Sequence, residues 1–134
     1  MEKLDYLIRR QFEKRGYMAG LSFSIKTTDN QSKIIFEDKN ALKYYVDIVQ
    51  NAFTNFQRNV FDKNSIYFEI IIHEIHWFPV DTTPELMKYT VIRILSNCFS
   101  LDFYQFLSKD EAKQFYFLND LSFEQLEKNR YFLR

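Results

Sequence analysis

Apolar residues near the middle of the chain repeat at steps of three and four residues. This spacing predicts one amphipathic helix over residues 38–60, which begins near a capping side chain at Asp38 or Asn40. A helix of that length is expected to pack across a sheet as the main core helix. The repeating positions are Leu42, Tyr45, Val46, Val49, Ala52, Phe53, Phe56 and Val60.

Alternation of apolar and polar positions predicts strands on both sides of this helix. Leu21, Phe23 and Ile25 alternate with polar residues, which is typical of a half-buried strand. A polar turn over residues 29–32 and the return of apolar residues over 33–36 predict that this strand belongs to a β-hairpin.

Residues 66–77 are rich in β-branched and aromatic side chains and predict a central strand. The strand is followed by a loop over 78–82, because Pro79 interrupts the ladder. One face of the strand is expected to carry Ile66, Phe68, Ile70 and Ile72, and the other Tyr67, Glu69, Ile71, His73 and Ile75.

Further helices are predicted on both sides of these strands. Residues 2–15 have helical spacing and end at Gly16, where a helix would stop. Thr83 as the N-cap and Pro84 in the first turn predict the start of a helix that extends to Cys98. Cys98 is expected to lie on the buried face of this helix. A C-terminal helix is predicted over 122–129.

The segment after residue 100 allows two interpretations. Residues 103–107 and 114–118 have the composition of two strands, whereas Ser108 and Glu111 match a capping box that would begin a short helix. The sequence as a whole predicts one α+β domain over residues 1–134. Its mainly antiparallel sheet has the long helix packed across one face and shorter helices around it.

Composition excludes several classes of protein. The 18 basic and 18 acidic residues give no net charge, which argues against a partner bound mainly through phosphate groups, such as nucleic acid. No apolar run is long enough for a membrane helix, and the charged start is unlike a signal peptide. A single cysteine, Cys98, cannot form an internal disulfide, so we expect a cytoplasmic protein.

Candidate chemistry is confined to the end of the central strand. His73, Glu74 and His76 resemble fragments of metal sites, but two ligands on one strand face are fewer than zinc requires. We expect His73 and His76 on opposite faces, and no nucleophile or phosphate-binding loop stands near them in the sequence. The sequence therefore predicts no metal, no cofactor and no catalytic residue. The alternative is a small metal-dependent or acid–base hydrolase built on His73, His76 and Glu74.

A protein-binding surface is the favoured interpretation of the same region. Trp77 and Phe78 would act as apolar anchors, because large aromatic residues dominate binding energies at interfaces. The first 67 residues have a net charge of +3 and the rest −3, which suits a basic protein partner. Trp77 could instead be a core residue beneath helix 83–98, or could join two copies as a homodimer. The predicted contact residues are Glu74, His76, Trp77, Phe78, Asp81 and Glu85.

In size, composition and lack of enzyme motifs, the chain resembles the small immunity proteins of bacterial toxin systems, such as contact-dependent growth inhibition. A high content of residues with AT-rich codons also suggests a bacterial or phage gene. The resemblance implies a cytosolic protein that binds and neutralises a toxin, and it transfers no functional position. The absence of net charge departs from the acidic character of many nuclease antidotes, so the chemistry of the toxin stays open.

Overall fold

Four strands form one sheet in the computed structural model, which describes residues 3–118. Their order is β1-β2-β4-β3, with antiparallel pairing of β1 with β2 and of β2 with β4, and parallel pairing of β3 with β4. This confirms the predicted α+β class with a mainly antiparallel sheet. The strands are β1 (Leu4–Phe12), β2 (Arg15–Thr27), β3 (Lys33–Phe36) and β4 (Phe68–His76).

Helices cover one face of this sheet. The long helix α1 crosses from β3 to β4, and its Phe53 ring lies 5.1 Å from the Phe68 ring of β4. The helices are α1 (Lys43–Phe56), which continues as a π-helical turn (Gln57–Phe61) and a 3₁₀ turn (Asp62–Asn64), then α2 (Pro84–Cys98) and α3 (Lys109–Gln114). Two further 3₁₀ turns are Phe103–Phe106 and Tyr116–Leu118.

The two main helices begin in different ways. As predicted, Thr83 caps α2, and its hydroxyl accepts a hydrogen bond from the backbone of Leu86 at 3.1 Å. Helix α1 begins at Lys43, later than predicted, and has no side-chain cap. Asp38 instead accepts from the backbone N–H of Asn40 in the turn before the helix.

The predicted helix over residues 2–15 is wrong, because this segment forms β1 and the start of β2. Tyr6, Leu7 and Ile8 are all buried, so both strand faces are apolar and the two-residue period is hidden. Gly16 does not end a helix but pairs with Gln11 across the hairpin.

The predicted hairpin of β2 and β3 is also wrong. β4 lies between these strands, antiparallel to β2 and parallel to β3. The connecting segment bonds to the start of β4: the N–H of Thr28 donates to Tyr67, and the hydroxyl of Ser32 accepts from Phe68. These bonds direct the chain past the end of β4 to its far edge.

A β-bulge in β4 changes which face its last residues occupy. Phe23 pairs with Ile72, but Ser22 pairs with Glu74, so His73 is an extra residue. Ile75 consequently lies opposite Leu21 and is buried in the core, contrary to its predicted place on the mixed face. Bulges re-aim side chains in this way and are common near functional sites.

The segment after α2 is helical rather than extended. Ser108 and Glu111 form the capping box at the start of α3, which confirms the short helix and excludes the two strands. The predicted helix over 122–129 lies outside the described residues.

Candidate functional site

Trp77 and Phe78 leave the sheet together at the end of β4. The Trp77 ring is half-buried and lies 5.2 Å from the ring of Tyr45 in α1. Phe78 is 54% exposed, although its backbone is held in a tight turn, in which its N–H donates to the Thr82 hydroxyl at 2.8 Å. The turn therefore presents the Phe78 ring to solvent from a fixed backbone.

Exposed apolar side chains concentrate around this turn. Of the six large apolar residues that are exposed within residues 3–118, four lie here, on the turn and at the start of α1. Tyr44 connects the two segments, because its ring packs on Tyr45, which in turn contacts Trp77. We call this region the end surface. It comprises Leu42, Tyr44, Trp77, Phe78 and Val80.

The acidic residues predicted around the aromatic anchors point in three directions. Glu74 is exposed beside His76 on the sheet face opposite the helices. Asp81 faces the β1–β2 hairpin, where a Cβ atom on Gly16 would stand 2.7 Å from its carboxylate. Glu85 lines a depression between α1 and α2. They flank the end surface but do not converge into one acidic cluster.

His76 is 7% exposed and therefore belongs to the sheet rather than to a contact surface. Its Nε2 lies 2.8 Å from the hydroxyl oxygen of Ser22, and its Nδ1 lies 3.8 Å from the Glu74 carboxylate. Burial lowers the pKa of the His76 imidazole below its ordinary value, against the opposing effects of Glu74 and Asp5.

His73 makes a similar contact on the same strand. Its Nε2 lies 2.8 Å from the hydroxyl oxygen of Ser24, and its Nδ1 lies 2.9 Å from Oε1 of Glu37. Because Ser22 and Ser24 share one face of β2, the expectation that the two histidines point to opposite faces is wrong. The bulge at His73 brings both rings to this polar face.

The sequence did not identify the partners of the two histidines. Ser22 and Ser24 are buried serines on a different strand, and Glu37 follows β3. The only available signal was their alternation with apolar residues, which placed the two serines on one face of a strand without indicating what lay opposite. The relevant contacts join residues 36 to 54 positions apart.

Within residues 3–118, His, Cys, Asp and Glu side chains form no group of three or more that could hold a metal ion. Cys98 is largely buried, and burial raises the pKa of its thiol to about 11. It is therefore protonated at neutral pH, which disfavours it as a nucleophile. None of the helices in this part of the chain combines the length and hydropathy needed to cross a bilayer.

Comparisons with known proteins give no family. No family model matches the chain, and no curated protein matches it. Among solved structures, the protein ttk003000868 from Thermus thermophilus is similar over 66% of this chain and 14% of its own length, with a TM-score of 0.47 and 8% identity. A proposal about function therefore rests on the geometry of this chain.

Proposed function

We propose that the protein binds another protein through the end surface and acts as an immunity protein that neutralises a bacterial toxin. The observation that carries this proposal is the concentration of exposed Leu42, Tyr44, Phe78 and Val80 around the half-buried Trp77. Aromatic residues on a rigid backbone lose little conformational entropy on binding, so they serve well as interface anchors.

The partner is expected to present a basic surface. Glu74 and Glu85 are exposed on two sides of the end surface, and Asp81 is half-buried on a third. Carboxylates placed around an apolar contact act mainly over distance, by steering an oppositely charged partner during encounter. Steering does not require the three groups to converge, so their separate directions are compatible with this role.

The binding test first searches the neighbouring reading frames for a toxin gene, whose absence would count against the immunity role, and then measures binding of Phe78→Ala to the encoded toxin domain. Phe78 is 54% exposed, so its loss should leave the fold unchanged. We expect the dissociation constant to rise by about 30-fold, corresponding to about 2 kcal/mol for an interface anchor. Tyr104→Ala is the matched control, because Tyr104 is 52% exposed away from the end surface and should have no effect.

Equal weakening by both variants, or no weakening by Phe78→Ala, would refute the end surface as the contact. Trp77→Ala should also raise the dissociation rate. Because the Trp77 ring packs on Tyr45, the thermal melt of this variant must be compared with that of wild type to separate lost binding from lost stability. The molar mass measured by sedimentation distinguishes toxin binding from the alternative, in which two copies of the chain associate as a homodimer. A wild-type dimer that becomes monomeric in Phe78→Ala would assign the same surface to self-association.

Charge reversal at Asp81 and Glu85 tests the basic character of the partner. Association should slow, and the effect should be larger at low salt, because screening by ions weakens long-range attraction. Asp29→Lys, in the exposed loop after β2, is the control for a general change in net charge. If all the reversals slow association equally, the attraction is not local to the end surface.

A further inference from the structure

The two serine–histidine pairs on the polar face differ in the direction of their hydrogen bonds. A carboxylate has only acceptor atoms, so Nδ1 of His73 must donate its hydrogen to Glu37, 2.9 Å away. In the neutral imidazole, Nε2 then carries a lone pair. The Ser24 hydroxyl, 2.8 Å from that nitrogen, is therefore the donor.

Ser22 has the opposite arrangement. Its hydroxyl donates to the Asp5 carboxylate, so its oxygen accepts the hydrogen on Nε2 of His76. His76 therefore cannot remove a proton from Ser22, whereas His73 is placed to remove one from Ser24. The two pairs look alike in composition, but only one has the polarity of a nucleophile with its general base.

The backbone holds all three members of the Ser24 group in place. Ser24 lies opposite Ile71 in the β2–β4 ladder, and His73 stands at the bulge two residues further along β4. The N–H of Glu37 donates to the carbonyl of Ile72 at 2.9 Å, which fixes the carboxylate-bearing residue beside His73. Side chains supported by a sheet keep the alignment that general-base catalysis requires.

We propose that Ser24, His73 and Glu37 form an acyl-transfer site, with Ser24 as nucleophile, His73 as general base and Glu37 as the group that orients the imidazole. This activity is separate from binding at the end surface. Solvent exposure increases from Ser24 to Glu37: Ser24 is 3% exposed, the His73 side chain 21% and the Glu37 side chain 58%. Because only 3% of Ser24 is exposed, the proposed substrates are small activated esters of acetyl size.

In the proposed step, the oxygen of Ser24 attacks the ester carbonyl carbon while its proton passes to Nε2 of His73. The carbon–oxygen bond to the leaving group breaks, and the leaving alcohol or phenol takes the proton from His73. Water then attacks the acyl-serine with His73 again as base, which releases the acid and restores Ser24. General-base activation of this kind typically contributes about 10²–10⁴-fold to the rate.

The test measures release of p-nitrophenolate from p-nitrophenyl acetate, with mass mapping of the acetylated residue. We expect wild-type protein to acquire one acetyl group on Ser24 and Ser24→Ala to lose this reaction. Ser22→Ala should retain it, and this variant is a close control because Ser22 is a buried serine of the same strand. Glu37→Gln should slow acetylation by about tenfold or more, and it alters an exposed side chain, so the fold is preserved.

Acetylation of Ser22 or of a surface residue in place of Ser24 would overturn the proposal, as would equal rates in wild type and Ser24→Ala. If Ser24→Ala fails to fold, Glu37→Gln decides the question, because an unchanged rate in that variant excludes the assigned role of the carboxylate. Toxin binding by each variant is measured in parallel, so loss of acetylation with intact binding separates this site from the end surface.

Discussion

Both glycines of the chain lie in β2, and each permits a close approach to another part of the structure. A Cβ atom on Gly20 would collide with the backbone oxygen of Tyr6 in the neighbouring strand. The same atom on Gly16 would meet the end of the Asp81 side chain instead. A strand backbone cannot move aside without breaking its ladder, whereas a carboxylate can rotate.

Gly20→Ala is therefore expected to destabilise the fold by about 1–3 kcal/mol, as overpacking of a buried site does. Gly16→Ala should cost less than about 1 kcal/mol, because Asp81 can take another rotamer. Urea denaturation of both variants measures the difference. Equal losses would mean that the close contact between β1 and β2 at Gly20 does not constrain the sheet.

His76 makes stability depend on pH. Because its folded-state pKa lies below its ordinary value, the unfolded chain binds a proton at a higher pH than the folded protein does. The contribution of neutral His76 is fully present above about pH 6.5 and is lost as the pH falls through the folded-state pKa. The free energy of unfolding should thus decrease as the pH falls below about 6.5.

His76→Gln tests this assignment, because glutamine can still bond to Ser22 but does not titrate. Unfolding by urea at several pH values should give a flatter profile for the variant than for wild type. The other ionisable groups are the same in both proteins, so the comparison isolates the contribution of His76. Parallel profiles would assign the pH dependence to groups other than His76.

At the scale of elements, the β1–β2 turn has an unusual composition. Glu13 and Lys14 both have positive φ values, 50° and 65°, a conformation in which hairpin turns prefer Asn and Gly. The double substitution Glu13→Asn with Lys14→Gly should relieve this strain and raise the free energy of unfolding by about 1 kcal/mol or more.

The polar segment over residues 29–32, which the sequence predicts to be a hairpin turn, supplies the control. Asp29 and Asn30 lack positive φ, so Asp29→Asn with Asn30→Gly should give no gain. Thermal melting distinguishes the two double variants. Stabilisation by the second but not by the first would place the strained turn at the wrong position.

Sequence patterns predicted the elements whose signals are local. Helix α2 was found from Thr83 and Pro84, which act on its own first turn, and α1 from a periodic apolar stripe that needs no knowledge of its partners. The start of α1 was misplaced because Asp38 bonds within the preceding turn.

The errors concern strands with two different properties that a local pattern does not reveal. β1 has buried residues on both faces, and β3 pairs with β4 across a crossover that contains α1. The candidate site likewise has one part that local sequence patterns predicted and one part that they did not. Composition and position placed Trp77 and Phe78 at the end of the central strand, where the structure has them. The bulge that aligns His73 with Ser24 depends on the register between strands, which spacing within one segment does not encode.

At the scale of the whole molecule, the sheet has two unlike faces. The helix-covered face contains a network of aromatic rings, in which Phe68 contacts both Phe53 and Phe61. The opposite face carries the buried Ser22, Ser24 and His76 and the half-buried His73. The end surface lies where α1 meets the end of β4, so the proposed partner would contact it without opening the core.

The chain has one tryptophan, and its contact with Tyr45 makes it a reporter of the docking of α1 on the sheet. Phe53 lies in the same helix as Tyr45, is 2% exposed and packs on the Phe68 ring of β4. Truncation of Phe53 to alanine removes most of a large side chain from the core, which typically lowers the free energy of unfolding by about 3–5 kcal/mol. Val80→Ala, at a position that is 75% exposed, is the control and should change stability by no more than about 0.5 kcal/mol.

Because one core joins α1 to the sheet, Trp77 fluorescence and far-ultraviolet circular dichroism should report a single transition in urea. Phe53→Ala should move both curves to lower urea by the same amount. A loss below about 1 kcal/mol would remove α1 from the core. If fluorescence changes before circular dichroism, α1 detaches from β4 while the remaining structure persists, and the end surface, which is built from both elements, would then be lost at lower urea than the sheet itself.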